Sequence, residues 1–227
     1  YGDADGDGVA DYMDAIGSSN VLQELSGRSD SFLIETEAGL PLSLGGIAFR
    51  AGLGQAGVAM SDVTNLGAVV ADESRYDGGL FDFIVEQLPV AGQSIRVVLP
   101  QQAAIPAGAR YRKLKNGLWQ DFIADAVNSV ASAAGGQGYC PPPGDAAYTA
   151  GLTEGHWCVQ LTLEDGGPND ADGLANNSVA DPGGVATTQS AGTLRVSSGG
   201  GSGSPWLLVL LGVLLWRAKL VQREAQG

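Results

Sequence analysis

The chain has 227 residues, enough for one domain of ordinary size with appendages. Asp and Glu outnumber Lys and Arg by 25 to 12, which leaves a formal net charge of −13. Because nucleic-acid backbones are bound by clustered Lys and Arg, this balance argues against nucleic acid as a partner. It suits cation binding, and equally an acidic surface that keeps an exported protein soluble. Since the sequence begins at Tyr1 without an initiator Met or an apolar leader, we expect an export signal upstream.

The first predicted element is an acidic loop over residues 3–14. Carboxylates stand at loop positions 1, 3, 5, 9 and 12 and belong to Asp3, Asp5, Asp7, Asp11 and Asp14. Gly8 falls at position 6, where a sharp turn favours a residue without a side chain, and the Val9 carbonyl would supply position 7. Calcium takes about six to eight hard oxygen ligands, and this alternation directs oxygens toward one ion. The loop therefore predicts a Ca2+ site, with a solvated acidic turn as the alternative.

The same residues resemble a thrombospondin type 3 repeat and, more broadly, the EF-hand-like DxDxDG loops. The resemblance implies that Asp3, Asp5, Asp7 and Asp14 hold Ca2+, with Asp11 acting directly or through water. Position 12 is Asp14 rather than the longer Glu of EF-hands, as is usual in the type 3 repeats. Residues 1–27 are accordingly predicted to be a calcium loop and linker that stiffens a junction between modules.

Residues 28–186 are the one stretch able to bury a core. Short runs rich in Val, Ile, Leu and aromatics predict strands over residues 31–36, 40–49, 68–72, 80–85, 94–99, 109–115, 118–122 and 156–163. Asn116-Gly117 predicts a type I′ hairpin turn, and weak helical patterns cover residues 14–25 and 124–134. Together these patterns favour an all-β fold, an antiparallel β-sandwich with the calcium loop before it and one hydrophobic C-terminal helix after it.

Cys140 and Cys158 are the two cysteines of the chain. An even pair in an exported protein favours a disulfide over a metal site or a catalytic thiol, and two free thiols are the alternative. The bond would close a loop of about 19 residues and stabilise the fold by about 3 kcal/mol on the chain-entropy model.

A second acidic loop is predicted over residues 164–185. Its oxygen donors are Asp165, Asn169, Asp170, Asp172, Asn176 and Asp181. The spacing does not fit a calcium frame of the first kind, because Leu174 falls at the fifth position counted from Asp170. Calcium binding and a turn cluster held by Asx hydrogen bonds are both open interpretations.

This loop resembles part of a bacterial family named choice-of-anchor U. The resemblance extends over residues 30–186 and is carried by Tyr111-Arg112-Lys113, Gly117-Leu118-Trp119, Tyr139-Cys140-Pro141, Gly151-Leu152 and His156-Trp157-Cys158-Val159-Gln160-Leu161. Members carry one of several interchangeable C-terminal anchors after a shared domain. The resemblance implies a position next to an anchor and no established catalysis.

The C-terminal part is predicted to be a linker followed by a membrane-directed segment. Residues 187–204 are Ser, Thr and Gly with little else, which is typical of a flexible linker. Residues 205–216 are uncharged and apolar, and three basic residues follow before residue 227. As a helix this run spans about 18 Å, short of a hydrocarbon core of about 30 Å. We expect residues 205–227 to be a sorting or transmembrane signal with a cytoplasmic basic end.

Gly199, Gly200, Gly201 and Ser202, followed by the apolar run and the basic end, resemble a GlyGly-CTERM sorting signal. The resemblance implies cleavage near the glycines by a rhomboid-like sorting protease (rhombosortase) and transfer to a lipid-type anchor. It also implies export through the type II secretion machinery to the surface or outer membrane of a Gram-negative bacterium, after an inner-membrane intermediate. An ordinary single-pass tail anchor is the alternative.

No catalytic set is predicted, because the single histidine, His156, has no Ser or Cys nucleophile at a recognisable elbow. We therefore expect a non-enzymatic module that anchors and displays an upstream region. An adhesion module that binds a surface or a neighbouring cell is one alternative. The stalk of a surface-anchored hydrolase is the other.

Overall fold

The computed structural model describes residues 2–65 and 71–188. The predicted processing motif at Gly199, Gly200, Gly201 and Ser202 and the apolar helix over residues 205–227 lie outside the described residues. So does the linker beyond residue 188, together with most of the strand predicted over residues 68–72. Within the two described ranges, no helix combines the length and the apolarity needed to cross a membrane.

The described residues form twelve strands and two short helices. In chain order they are β1 Val21–Gln23, β2 Leu33–Thr36, β3 Leu42–Leu44, α1 Gly46–Ala51, β4 Gly57–Val58, α2 Met60–Thr64, β5 Leu80–Val85, β6 Ser94–Pro100, β7 Arg110–Lys115, β8 Leu118–Asp121, β9 Ser129–Ala133, β10 Thr149–Ala150, β11 Cys158–Glu164 and β12 Val179–Ala186. The prediction of a β-rich fold is confirmed.

The strands form two antiparallel sheets of six strands each. The first sheet has the order β1-β2-β6-β11-β9-β10, and the second has β3-β5-β12-β7-β8 with β4 also paired to β5. Inward-facing side chains from both sheets share one core, to which the first contributes Ile34, Val97 and Leu161 and the second contributes Phe83 and Val185. The predicted packing of two antiparallel sheets is therefore confirmed.

The outer face of the second sheet is covered by the two helices. Ile47 of α1 and Val63 of α2 form a smaller apolar cluster with Leu114 of β7. The Asp82 carboxylate Oδ2 accepts the N–H groups of Ile47 at 2.6 Å and Ala48 at 2.9 Å, which satisfies the first turn of α1. This part of the chain was predicted as a continuous strand over residues 40–49, so that prediction is wrong from Gly46 onward.

The local sequence patterns correctly predicted the β7–β8 hairpin and the disulfide. β7 and β8 pair through Asn116-Gly117, where φ is 52° and 76°, as a type I′ turn requires. Cys140 and Cys158 form the predicted disulfide, with an S–S distance of 2.05 Å. The bond ties the loop before β10 to the first residue of β11.

Both predicted helices are wrong, and one central strand was missed. Residues 14–25 contain a turn and β1, and residues 124–134 contain β9. Residues 179–185, predicted as part of an acidic loop, lie in β12 (Val179–Ala186) between β5 and β7. In each case strand partners on neighbouring segments override a local preference, since strand propensity depends on packing context.

Candidate metal centre

The N-terminal acidic loop lies against the sandwich. The Val9 side chain is fully buried in the main core. The Leu44 N–H donates to the Asp7 carbonyl at 2.7 Å, and the Gln23 amide donates to the Met13 carbonyl at 3.1 Å. The described residues, 2–65 and 71–188, belong to one compact unit, and residue 27, the predicted boundary, lies within it.

Three carboxylates of this loop are close enough to share one cation. Asp3, Asp5 and Asp7 can each offer an oxygen within 4.8 Å of the others, the one such group of His, Cys, Asp and Glu in the described part of the chain. Gly8 has a φ of 87°, which agrees with the turn predicted at loop position 6. The Asp3 carboxylate accepts the N–H of Gly6 at 2.9 Å and of Gly8 at 3.2 Å, so the turn holds Asp3 in place.

Several oxygens of this cluster are buried without a hydrogen-bond donor. Asp7 is 1% exposed, and its Oδ1 accepts the N–H of Val9 at 2.7 Å. Within the described residues, Asp7 Oδ2 and both carboxylate oxygens of Asp5 are buried and have no hydrogen-bond partner. Buried polar atoms normally have partners, and buried charges are normally paired or bound to metals. The three oxygens therefore fit the ligand set of a hard cation.

The electrostatics of the cluster also favour a cation. Desolvation by burial is the main cause that raises the pKa of Asp7 from 3.8 to about 7, and the charges of Asp5, Asp14 and Asp3 add to it. Desolvation also raises the pKa of Asp5, followed by the charge of Asp14, while the nearby backbone N–H groups of Asp7 and Asp5 oppose this rise without forming well-aligned hydrogen bonds. Repulsion among the carboxylates is relieved either by protons or by a divalent ion. The negative charge of Asp14 raises the pKa of both Asp5 and Asp7. Among the predicted ligands outside the cluster, Asp14 is therefore the one that interacts electrostatically with it.

The remaining predicted ligands have additional structural roles. Asp11 Oδ1 accepts the N–H of Ala4 at 2.8 Å, and Asp14 Oδ1 accepts the N–H of Ile16 at 2.8 Å. Val9 contributes its side chain to the core and its N–H to Asp7. Calcium coordination by Asp11, Asp14 and the Val9 carbonyl stays a prediction.

The second acidic segment is organised by hydrogen bonds. Asp165 is 2% exposed and accepts three backbone N–H groups, from Gly92 at 2.9 Å, Asn176 at 3.0 Å and Asn177 at 2.9 Å. Asp170 accepts the backbone N–H groups of Gly166 and Ala180, and the Asn169 side chain forms two hydrogen bonds with the Ile123 backbone. Asp172 accepts the N–H of Leu174 and a hydrogen bond from the side-chain amide of Asn176. The Asn176 side-chain oxygen in turn accepts the N–H of Ser178. These contacts match the interpretation of the segment as a hydrogen-bonded turn cluster.

Asp181 is separate from the other five oxygen donors. It lies within β12, is fully buried, and contacts Lys113 of β7. This ion pair is not among the predicted features, although the alternation of β7 places Lys113 on the same face as Tyr111. That alternation is the signal that could have indicated a buried lysine.

A second missed group is Glu24, which follows β1 and is fully buried. Desolvation raises its pKa to about 8, and a hydrogen bond from the Gln102 side chain at 2.8 Å opposes the shift. Its hydrogen-bond donor Gln102 lies 78 residues further along the chain, so no local pattern reveals the contact.

No family model, curated protein or solved structure matches the chain. The resemblances to the thrombospondin type 3, choice-of-anchor U and GlyGly-CTERM families therefore stay predictions.

Proposed function

We propose that this chain is a non-catalytic module of an exported bacterial surface protein, in which Ca2+ bound by Asp3, Asp5 and Asp7 stiffens the N-terminal junction. The observation that carries the proposal is the set of buried carboxylate oxygens of Asp5 and Asp7 that have no donor in the described part of the chain. The module would anchor and display whatever region precedes it.

Calcium binding would stabilise the whole sandwich against unfolding, rather than stiffen only a separate linker. The support is the position of Val9 in the main core and the bond from the Leu44 N–H to the Asp7 carbonyl. A ligand that binds only the folded state raises stability by mass action, by about 2.7 kcal/mol at 100 times its dissociation constant. For a domain of this size that corresponds to a rise in melting temperature of roughly 5–10 °C.

The test is thermal unfolding of the full chain with calcium and with a chelator. The wild type should melt at a higher temperature in calcium, and Asp5→Asn should lose the calcium-dependent rise because it removes a carboxylate of the cluster. Asp172→Asn is the matched control, since it alters an exposed aspartate of the second acidic segment and should keep the full rise. A wild type that melts at the same temperature in both conditions would reject the site.

The anchoring part of the proposal rests on the sequence pattern around Gly199, Gly200, Gly201 and Ser202, outside the described residues. It assigns processing to a rhomboid-like protease after type II secretion and places the mature protein at the cell surface. Mass spectrometry of the cell-associated protein tests it. A C-terminus within the glycine-rich motif is expected, and an intact Gly227 would contradict it.

A further inference from the structure

A lysine and an aspartate meet in the interior between the two sheets. Lys113 of β7 and Asp181 of β12 are both fully buried, and Lys113 Nζ lies 2.5 Å from Asp181 Oδ1. Within the described residues, neither atom has a partner in hydrogen-bond geometry, so the two groups touch without the alignment of a hydrogen bond. A buried pair of charges gains little net stability, because the cost of desolvation cancels much of the attraction between the two groups.

The strand register accounts for the contact. β7 and β12 are antiparallel neighbours in which Lys113 is opposite Gly183. Asp181 therefore lies two residues along β12 on the same face, a diagonal neighbour within reach of a long side chain. A Cβ at Gly183 would lie 2.9 Å from the Tyr111 ring and 3.1 Å from Asp181 Oδ1. Glycine at this position keeps the space beside the lysine and the aspartate free of a side chain.

The surroundings suit a reaction between the two groups. Desolvation lowers the pKa of Lys113, against the charge of Asp181, and so favours the nucleophilic neutral amine. The Tyr111 hydroxyl donates to Asp181 Oδ2 at 3.2 Å, where it polarises the carboxyl group. Desolvation also raises the pKa of Tyr111 well above its ordinary value, so the phenol keeps the proton that it donates.

We propose that Lys113 and Asp181 condense into an intramolecular amide bond that cross-links β7 to β12. The Lys113 ammonium first passes one proton to Oδ1 of Asp181, which leaves a neutral amine beside a carboxylic acid. Nζ of the amine then attacks Cγ, and the new C–N bond forms. Nζ passes a second proton to Oδ1, the bond from Cγ to Oδ1 breaks, and Oδ1 leaves as water. One positive and one negative charge disappear together, so the step balances without an oxidant, a reductant or a co-reactant.

The cross-link removes the buried charges and fixes the centre of the second sheet. When a force is applied to the two ends of the chain, the cross-link would prevent the segment between residues 113 and 181 from being stretched out. Such a bond is independent of calcium, because neither residue belongs to the cluster of Asp3, Asp5 and Asp7.

Mass spectrometry of the full chain after unfolding and reduction tests the proposal. The wild type should be lighter than its reduced sequence by one water molecule. Trypsin should leave Lys113 uncut and release a branched peptide that joins the segments around residues 113 and 181. The branched peptide is decisive, because Asp165-Gly166 and Asp172-Gly173 can also lose water by forming a succinimide. Lys113→Arg should abolish the branched peptide, whereas the neighbouring change Lys115→Arg should retain it.

The wild-type chain alone is sufficient to overturn the proposal, even if Lys113→Arg does not fold. Folded wild-type protein with the full sequence mass, which trypsin cuts after Lys113 once unfolded, would show that the two groups remain an ion pair.

Discussion

The two acidic segments of this protein have similar compositions but different structures. In the first, over residues 3–14, buried oxygens of Asp5 and Asp7 have no donor among the described residues. In the second, over residues 164–181, Asp165 and Asp170 together accept five backbone N–H groups. Aspartates of the first segment also accept backbone N–H groups, so the two segments differ in the buried oxygens of Asp5 and Asp7 that are left over. Buried carboxylate oxygens that lack a donor are the better candidates for ligands of a cation.

The largest expected effect is on the hydrogen-bonded segment. Asp165→Ala should destabilise the fold by about 3–5 kcal/mol, because three N–H groups lose a charged acceptor in a buried place. Urea unfolding with calcium and with a chelator should show the same loss in both. A loss that calcium restores would mean that the second segment also binds the ion.

The Val9 side chain attaches the first segment to the core, so truncating it tests this attachment. Val9→Ala should destabilise the fold by about 2 kcal/mol, since it deletes buried methyl groups and leaves a cavity. The midpoint of urea unfolding measures the effect, with and without calcium. Exposed Val90 is the matched control, and Val90→Ala should change stability by less than about 0.5 kcal/mol. A negligible effect at Val9 would show that the loop is not part of the cooperative unit.

The effect of calcium on the pH dependence of stability tests the first segment, because desolvation also raises the pKa of Asp170 in the second. The pKa of Asp7 is raised from 3.8 to about 7, so the folded state binds this proton more tightly than the unfolded state. Stability should therefore fall as the pH rises from about 4 to about 7. Calcium should flatten this dependence, and so should Asp7→Asn in a chelator. Burial raises the pKa of Glu24 to about 8, so Glu24 also makes the stability fall as the pH rises. Calcium should leave this contribution unchanged.

Unfolding midpoints between pH 4.5 and 7.5, with calcium and with a chelator, measure this difference. Equal slopes in the two conditions would contradict the assignment of the titrating carboxyl to the calcium loop.

The smallest expected effect concerns the exposed edge of the second segment. Asp172 accepts the N–H of Leu174 at 2.8 Å in an exposed turn. Asp172→Ala should reduce stability by no more than about 1 kcal/mol, because water can replace the acceptor. Urea unfolding should give the same small value with and without calcium, and a much larger value in calcium alone would indicate a ligand role.

The sequence predicted the structure correctly where the geometry is determined by residues close along the chain. Asn116-Gly117 predicted its hairpin, and the alternation of Asp3, Asp5 and Asp7 predicted three carboxylates that the fold does bring together. Both features depend on residues that are close along the chain. In such cases side-chain spacing and turn chemistry decide the geometry.

The rest depends on contacts between distant segments. Pro182, Gly183 and Gly184 have turn preferences, yet β5 and β7 hold them in a central strand. Gly92 supplies one of the donors that satisfy Asp165, and no pattern near residue 165 indicates it. The contact of Lys113 with Asp181 likewise follows from the register of β7 and β12. Single-sequence periodicity does not determine such pairings.

Calorimetric titration of calcium into the metal-free full chain is the sharpest test of the proposed calcium site. At pH 7 we expect one bound ion per chain, with release of a fraction of a proton, because the pKa of Asp7 is about 7 and its ligand form is deprotonated. The proton release appears as a dependence of the heat on the ionisation enthalpy of the buffer, and Asp7→Asn should remove it. Absence of binding by the wild type, or unchanged binding and proton release in Asp7→Asn, would contradict the account.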